Sequence, residues 1–259
     1  MKKQTTKSKG IDLVINNYAE VKELEYSYAI LPWGATEPHN THLPYVTDCY
    51  LSYKIAVDSA EIALDKHGVR GVVLPPIPFG SQNPGQTELP FCIHSSYDTQ
   101  RSILTDVVES LLRSGIDKLL IISGHGGNSY KNMIRDMNLT HPDMLVACTE
   151  WFKVMPQSEF FELPDDHAGE METSVMMHYY PELVDLEIAE DGRSNSFNID
   201  AFNEGIVWVP RHWQKIAPTT GVGDPRRATA EKGKKFAAAI VDKLADFYHD
   251  LVTKPVYKE

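Results

Sequence analysis

Four potential metal ligands lie in one short segment, residues 37–48. Glu37, His39, His42 and Asp48 combine carboxylate oxygens with imidazole nitrogens, a mixture that suits Zn²⁺ or Mn²⁺. Residues two apart in an extended loop point the same way, so Glu37 and His39 can face one centre. Asp48 can bridge two ions, or it can serve only as a helix N-cap. His42 could be a ligand, but packing in the loop or a supporting role behind the ligands would explain it equally well.

A second cluster, SGHGGN at residues 123–128, follows an apolar run. We expect His125 to be a ligand, because the glycines around it allow a tight turn and close backbone approach. An ordinary turn between a strand and a helix would look the same. Asn128 is expected to cap the helix that follows, and the amides of Gly126 and Gly127 are candidate oxyanion donors.

A third cluster, DDHAGEMETS at residues 165–174, contains Asp166, His167, Glu170 and Glu172. The two glutamates are two apart on a predicted helix and diverge by roughly 200°. One should therefore point into a site and the other into solvent. His167 is a candidate proton carrier, because imidazole titrates near neutral pH. The alternative is an exposed loop histidine.

Alternating strands and helices are predicted to position these clusters. Helices are expected from near Asp48 to Gly68, from near Asp98 to Gly115, after Asn128, from Gly169 towards Tyr180, and over Thr229–Leu251. The strands are predicted at 28–32, 71–74, 118–123 and 144–148. This order indicates an α/β fold with a parallel sheet covered on both faces, whose ligands bind beyond the carboxyl ends of the strands. Residues 183–224 suggest loops and an edge hairpin.

Length and composition indicate one domain, residues 11–259, after a flexible N-terminus of residues 1–10. The net charge of −11 argues against binding to nucleic acid or anionic membranes. Cys49, Cys92 and Cys148 lack a CxxC spacing and are expected to be free thiols. With no signal peptide and no membrane span, the sequence is interpreted as cytoplasmic.

With these residues in view, the chain resembles the creatininase (creatinine amidohydrolase) family. The resemblance rests on ordered motifs that extend over most of the chain. They are LPWGATEPHNTHLP at 31–44 with Asp48, SGHGGN at 123–128, HAGEMETS at 167–174, and the weaker GVGDP at 221–225 and ATAEKG at 228–233.

The resemblance implies a three-layer αβα sandwich, a binuclear metal centre, hydrolysis of a C–N amide bond in a small molecule, and often a homohexamer. By position, Glu37, Asp48 and His125 would hold one ion, and His39 and Asp48 the other. Two divalent ions are expected, zinc or manganese, with iron as an alternative.

The chain departs from creatininase at Gly127, where creatininase has a glutamate that completes the second metal site. It is thus similar to a Gly-His-Gly-Gly-Asn branch of the family, in which Glu172 is the natural substitute ligand. This departure argues against creatinine as the substrate. Pro38, Asn40 and Thr41 also differ from the usual residues of the family motif, but none of these differences removes a ligand.

The mechanism expected from these residues is attack of a metal-bridging water on an amide or lactam carbonyl. His167 would donate a proton to the leaving nitrogen, with Asp166 orienting it. Glu172 would share the role of general base if the metal does not occupy it. The alternatives are a metal-binding scaffold without catalysis, and hydrolysis of a small peptide, a formamide or a cyclic ester.

Several aromatic residues could form substrate platforms, although such residues are more often core or interface residues. The loop between Phe79 and Phe91 could close the pocket or be a plain surface loop. The aromatic candidates are Trp33, Trp151, Phe152, Trp208 and Trp213.

Overall fold

The computed structural model describes residues 9–163 and 166–258. Most of the predicted flexible N-terminus, residues 1–8, lies outside the described residues. From Ile11 onward the chain joins the sheet edge, because the Ile11 carbonyl accepts a hydrogen bond from the Val73 amide at 2.8 Å.

Four parallel strands form one sheet in the described part of the chain, in the order β2-β1-β3-β4. They are β1 Tyr28–Trp33, β2 Gly71–Val73, β3 Lys118–Ser123 and β4 Leu145–Glu150. In the register of the two central strands, Ile30 pairs with Leu120. The four predicted strands are therefore confirmed, and the continuous apolar runs of β1 and β3 correspond to strands that are buried on both faces.

Helices cover both faces of the sheet, which confirms the three-layer αβα architecture. Ile30 and Leu120 face one apolar core, and Ala29 and Leu31 face the other. Short 3-10 turns lie at Trp151–Lys153, Gln157–Glu159, Pro181–Leu183, Leu186–Ile188 and Pro225–Arg227. The α-helices are α1 Tyr18–Val21, α2 Thr47–His67, α3 Tyr97–Arg113, α4 Lys131–Thr140, α5 Glu170–Tyr179, α6 Asp200–Asn203, α7 Trp213–Ile216 and α8 Ala230–Thr253.

The core residues show which helices form each layer. Helices α2, α5 and α8 pack on one face through residues such as Ile55, Val175 and Ile240. Helices α3 and α4 pack on the other through Leu104 and Met133. The helices whose sequences carry apolar stripes at helical spacing thus form the two outer layers.

The ends of the long helices follow local rules. Gly68 ends α2 in the left-handed conformation, with φ of 71°. The Ser96 side chain accepts the Thr99 amide at the start of α3, and the Thr229 side chain accepts the Lys232 amide at the start of α8. These signals explain why the predicted helices agree closely with the observed ones.

Two expectations about local structure were wrong. Residues 183–224 contain no edge hairpin; within this described segment the chain forms short helices, α6 and α7, and irregular turns. Asn128 is not a helix cap, because α4 begins at Lys131 with Tyr130 at the cap position. In a segment rich in turn residues, the apolar residues are too few to show whether their spacing is that of a strand or that of a helix.

Helix α5, which carries the third cluster, is held tightly against α8. A Cβ atom at Gly233 would lie 1.9 Å from the Ser174 carbonyl oxygen, so only glycine permits this approach. The Ser174 hydroxyl also accepts the Thr229 amide at 3.1 Å. The position of α5 relative to α8 is therefore set by close backbone contact.

Candidate metal centre

The loop after β1 folds back on itself and turns its polar residues inward. The Glu37 amide donates to the Tyr45 carbonyl at 3.1 Å, and Asn40 takes a left-handed conformation with φ of 53°. Helix α2 begins within this loop, with Val46 at its cap position and Asp48 in its first turn. Asp48 is therefore not the N-cap, and its side chain is available to the site, where it is buried with Glu37 and His39.

The loop after β3 brings His125 to the same place. A Cβ atom at Gly124 would lie 2.1 Å from the Asp48 carbonyl oxygen, so glycine lets this loop touch the first turn of α2. The Asn128 side chain fastens the loop, because its amide donates to the Gly34 carbonyl at 3.2 Å and its oxygen accepts the Ser81 amide at 3.0 Å. Asn128 thus joins three loops instead of capping a helix.

Three overlapping groups of buried side chains could each hold a metal ion. Within the described residues these groups are Glu37 with Asp48 and His125, His39 with Asp48 and Glu172, and Glu37 with His39 and His167; the potential ligand atoms of each group lie within 4.8 Å of one another. Asp48 belongs to the first two groups. The structure therefore brings together all five predicted ligands, and it places His167 beside them.

Each of the three imidazoles is oriented by a backbone carbonyl. Nδ1 of His39 lies 3.0 Å from the Glu37 carbonyl oxygen, and Nε2 of His125 lies 2.6 Å from that of Ser81. Nε2 of His167 lies 2.9 Å from the Pro38 carbonyl oxygen. A carbonyl accepts only, so each of these nitrogens carries the proton and the opposite nitrogen presents a lone pair. Histidines that bind metal are typically held in this way.

The ring nitrogens on the far side from these carbonyls face carboxylate oxygens, so either a proton or a metal ion lies between each nitrogen and its oxygen. Nε2 of His39 lies 3.0 Å from Asp48 Oδ1. Nδ1 of His125 lies 2.9 Å from Glu37 Oε1 and 3.3 Å from Asp48 Oδ2, yet neither oxygen has a hydrogen-bond partner with suitable geometry. Buried acceptors are rarely left unpaired. A donor set of this kind fits a divalent cation.

The electrostatics of the protein without a cation lead to the same conclusion. Burial opposes charge on His39, but the Asp48 carboxylate outweighs it and raises the pKa of His39 to about 10. The pKa of His125 is likewise raised despite burial, chiefly by Glu37. The pKa of Asp48 is lowered, because the charges of His39 and His125 outweigh its burial. Protons on the imidazoles thus take the place of a metal among carboxylates that stay ionised.

Both glutamates of α5 are buried, which corrects one expectation. Glu172 faces the site, and its Oε2 accepts the Ala168 amide at 2.6 Å. Glu170 points the opposite way as predicted, but it does not reach solvent because α8 covers that side. Its carboxylate pairs with Lys232 and accepts the amides of Glu162 and Leu163.

Asp166 does not orient the His167 ring, which corrects another expectation. Its carboxylate is about half exposed and pairs with Arg211 at 2.5 Å. The group that orients the ring is the Pro38 carbonyl, and the Trp213 ring packs edge-on against it with centroids 5.2 Å apart. Burial, together with the charge of His39, lowers the pKa of His167. His167 is thus a neutral imidazole near pH 7.

His42 lies behind the ligands and belongs to none of the three groups. Its Nε2 lies 2.8 Å from the Thr173 hydroxyl, which links the ligand loop to α5. Burial, reinforced by the charge of His39, lowers the pKa of His42 to about 4. The contacts therefore favour a role behind the ligands, in which His42 holds the ligand loop against α5.

The loop of residues 79–91 contributes groups that the sequence did not single out. The Gln86 side chain is buried and donates through Nε2 to Glu37 Oε2. The Ser81 carbonyl orients His125. A backbone carbonyl has no sequence signal, and a single glutamine in a loop rich in proline and glycine carries little.

Two adjoining cavities lie beside the candidate centre. A cavity of about 120 Å³ is lined by Asp48, His125, His167, Glu172 and Phe152, among others. A larger cleft of about 510 Å³ shares Gly126 with it. Of the aromatic candidates, Phe152 lines the small cavity and Trp208 the cleft, whereas Trp33, Trp151 and Trp213 are buried. The cysteines are free, as predicted, and no helix in the described part of the chain could span a membrane.

Comparison with known proteins places this site in a family. The family model described as "Creatininase: Creatinine amidohydrolase" matches residues 16–248. A crystal structure from Bacteroides fragilis, described as a candidate creatinine amidohydrolase, is 55% identical with a TM-score of 0.95, covering 96% of this chain and 99% of that one.

Two named relatives share less of the sequence. A mycofactocin precursor peptide peptidase of Mycobacterium ulcerans is 28% identical over 230 residues, which are 82% of this chain and 81% of the relative. The creatinine amidohydrolase of Pseudomonas putida is 25% identical over 239 residues, 84% of this chain and 86% of the relative.

Proposed function

The chain belongs to the creatininase family, and from this premise we propose that it is a binuclear metal-dependent amidohydrolase. Its reaction is the cleavage of a C–N amide or lactam bond in a small molecule. The observation that carries the proposal is the position of Asp48, which is common to two groups of potential ligands. A carboxylate shared in this way is suited to bridging two cations.

The ligands follow from the two groups that share Asp48. Glu37, Asp48 and His125 would hold one ion, and His39, Asp48 and Glu172 would hold the other. Mixed nitrogen and oxygen ligation accepts zinc or manganese, and iron is compatible. When bound, such a pair supplies Lewis acidity and lowers the pKa of water from 15.7 towards about 7.

Glu172 serves as a ligand in this proposal and not as the general base. Its carboxylate belongs to the second group and also accepts the Ala168 amide. It thereby takes the place of the glutamate that the family resemblance expects at position 127. Gly127 itself has no room for a side chain, because a Cβ atom there would lie 2.4 Å from the Ser81 carbonyl oxygen.

His167 is the group that moves the proton. Its Nε2 is held by the Pro38 carbonyl, so Nδ1 is the atom that accepts a proton from the attacking water and returns it to the leaving nitrogen. Its lowered pKa keeps this nitrogen unprotonated at neutral pH. The ring lines the same small cavity as Asp48 and Glu172, which puts it within reach of a scissile bond.

Hydrolysis of a peptide is the second candidate. The relative from Mycobacterium ulcerans is named as a peptidase, and the cleft of about 510 Å³ beside the small cavity has room for more than a single ring. The fold, the ligands and the role of His167 are the same in both candidates. A scaffold that binds metal without catalysis is the remaining alternative.

Metal analysis followed by an activity screen tests the proposal. The protein is loaded with zinc, manganese or iron and assayed against lactams, formamides, small linear amides and short peptides for release of amine or ammonia. Glu37→Gln should abolish turnover, and Glu182→Gln, an exposed glutamate outside the site, should not. Bound metal without turnover of any substrate would favour the scaffold, and turnover of peptides alone would favour the second candidate. Full activity of Glu37→Gln would refute the assignment.

A further inference from the structure

We propose that the cleft beside the metal centre binds a carboxylate of the substrate through Lys131 and Arg211, which both line it. The inference rests on the proposed function, because it assigns a substrate class to the same site. It concerns the part of the substrate that does not react.

The charged lining of the cleft leaves one positive charge uncompensated. Among the described residues, the charged side chains that line it are Lys131, Glu150 and Arg211. Glu150 pairs with Lys153 at 2.6 Å, and Arg211 pairs with Asp166. Lys131 has no carboxylate within ion-pair distance in the described part of the chain. A single unpaired cation suits a monoanion such as a carboxylate better than a phosphate dianion.

Lys131 lies at a position where the helix itself does not favour a lysine. It is the first residue of α4, a helix of ten residues with no side-chain cap and no acidic residue in its first turn. The N-terminal end of a helix carries partial positive charge, so a cation there is repelled. An incoming carboxylate would interact with both the helix terminus and the Lys131 ammonium group.

The wall of the cleft also contains Tyr130 and Cys148. The Tyr130 hydroxyl is buried beside the Ser123 and Asn128 side chains. Burial raises the pKa of the Cys148 thiol; the charge of Lys131 opposes that rise and the charge of Glu150 adds to it, so both charges act inside the cleft.

The Arg211 side chain, which also lines the cleft, is held in place by two contacts. One nitrogen of its guanidinium group binds Asp166, and the group lies 4.9 Å from the centre of the Trp213 ring, which also contacts His167. The remaining donors of a guanidinium fork can bind a carboxylate. This chain of contacts connects the anion site to the side chain that moves the proton.

Binding of two matched probes tests the inference without requiring turnover. N-acetylglycine carries a carboxylate, and N-acetylglycinamide has nearly the same shape without the charge. Both are titrated into the zinc-loaded full-length protein, with calorimetry and the fluorescence of the exposed Trp208 as readouts. We expect N-acetylglycine to bind roughly tenfold more tightly, because hydrogen bonds to charged groups are the stronger ones.

The variants separate this site from the metal. Lys131→Gln and Arg211→Gln should each remove roughly tenfold of the affinity for N-acetylglycine, and Lys131→Arg should retain it. Lys243→Gln, an exposed lysine of α8, should change nothing. His125→Ala should still bind the probe, because the anion site does not need the metal.

Three results would overturn the inference. They are equal affinity for the two probes, binding that is lost in His125→Ala but kept in Lys131→Gln, and tighter binding of inorganic phosphate through Lys131. Since His125→Ala tests the metal and Lys131→Gln tests the anion site, failure of the amidohydrolase proposal would not be mistaken for failure of this one.

Discussion

The carbonyl oxygen of Ser81 lies 2.6 Å from Nε2 of His125, and this contact turns the other ring nitrogen towards Glu37 and Asp48. The contact depends on Gly127. A Cβ atom at that position would lie 2.4 Å from the Ser81 oxygen and 2.5 Å from His125 Nε2. The third glycine of the Gly-His-Gly-Gly motif, Gly127, therefore preserves the orientation of the ligand.

Gly127→Ala should weaken metal binding at the group formed by Glu37, Asp48 and His125. The added methyl group displaces the Ser81 carbonyl, and loss of such outer partners costs roughly 10- to 100-fold in metal affinity. Competition with a chromogenic chelator measures the change. Gly126→Ala is the matched control, because its Cβ would meet nothing closer than Phe152 at 4.0 Å. Equal affinities of the two variants would contradict this explanation.

The two glutamates of α5 should differ in what their substitution changes. Glu172→Gln should lower metal content, because the carboxylate belongs to the group with His39 and Asp48. Glu170→Gln should leave metal content unchanged and lower the free energy of unfolding by about 2 kcal/mol, since it removes the charge that accepts the hydrogen bond from Lys232. Metal analysis and urea denaturation distinguish the two. The reverse pattern would mean that the roles of the glutamates have been exchanged.

Gly233→Ala should destabilise the protein although it places a better helix former within α8. In an exposed helix this change would stabilise by about 1 kcal/mol. Here the methyl group would meet the Ser174 carbonyl, and overpacking of this kind costs about 1–3 kcal/mol. Thermal denaturation with Lys234→Ala as an exposed control measures the difference. A Gly233→Ala variant that is more stable than the parent protein would show that α5 and α8 do not touch here.

Acid should destabilise the metal-free protein in part through His42. The pKa of His42 falls from its ordinary value of 6.5 to about 4 in the folded state, because burial disfavours the charged ring. The unfolded chain therefore binds more protons between these values, and stability is lost as the pH falls through this range. His42→Gln should reduce the loss between pH 7 and pH 5 in urea titrations. An unchanged pH dependence would rule out this contribution.

Much of the fold could be predicted, because its signals are local. The continuous apolar runs of β1 and β3 identify strands that are buried on both faces, and the apolar stripe of α3 identifies a helix that is buried on one. Gly68 ends α2 as expected. The segment of residues 183–224 could not be predicted, because its short helices depend on contacts with distant loops. One such contact is the bond from the Trp213 amide to the Pro84 carbonyl.

The ligand residues could also be found from the sequence, but their partners could not. Glu37, His39, Asp48 and His125 stand out by type and spacing, whereas the Ser81 and Pro38 carbonyls and the Gln86 side chain have no comparable signal. The position of Glu170 shows the same limit. Helical geometry predicts that it diverges from Glu172, but only the packing of α8 decides that it meets Lys232 instead of water.

The number of metal ions in each ligand variant tests the central claim most directly. Elemental analysis of the purified protein, with anomalous scattering from crystals, should find two ions per chain. His125→Ala and His39→Ala should each retain one ion, and Asp48→Ala should lose both, because Asp48 is the ligand that the two groups share. One ion or none in the unaltered protein, or two ions in Asp48→Ala, would contradict the account.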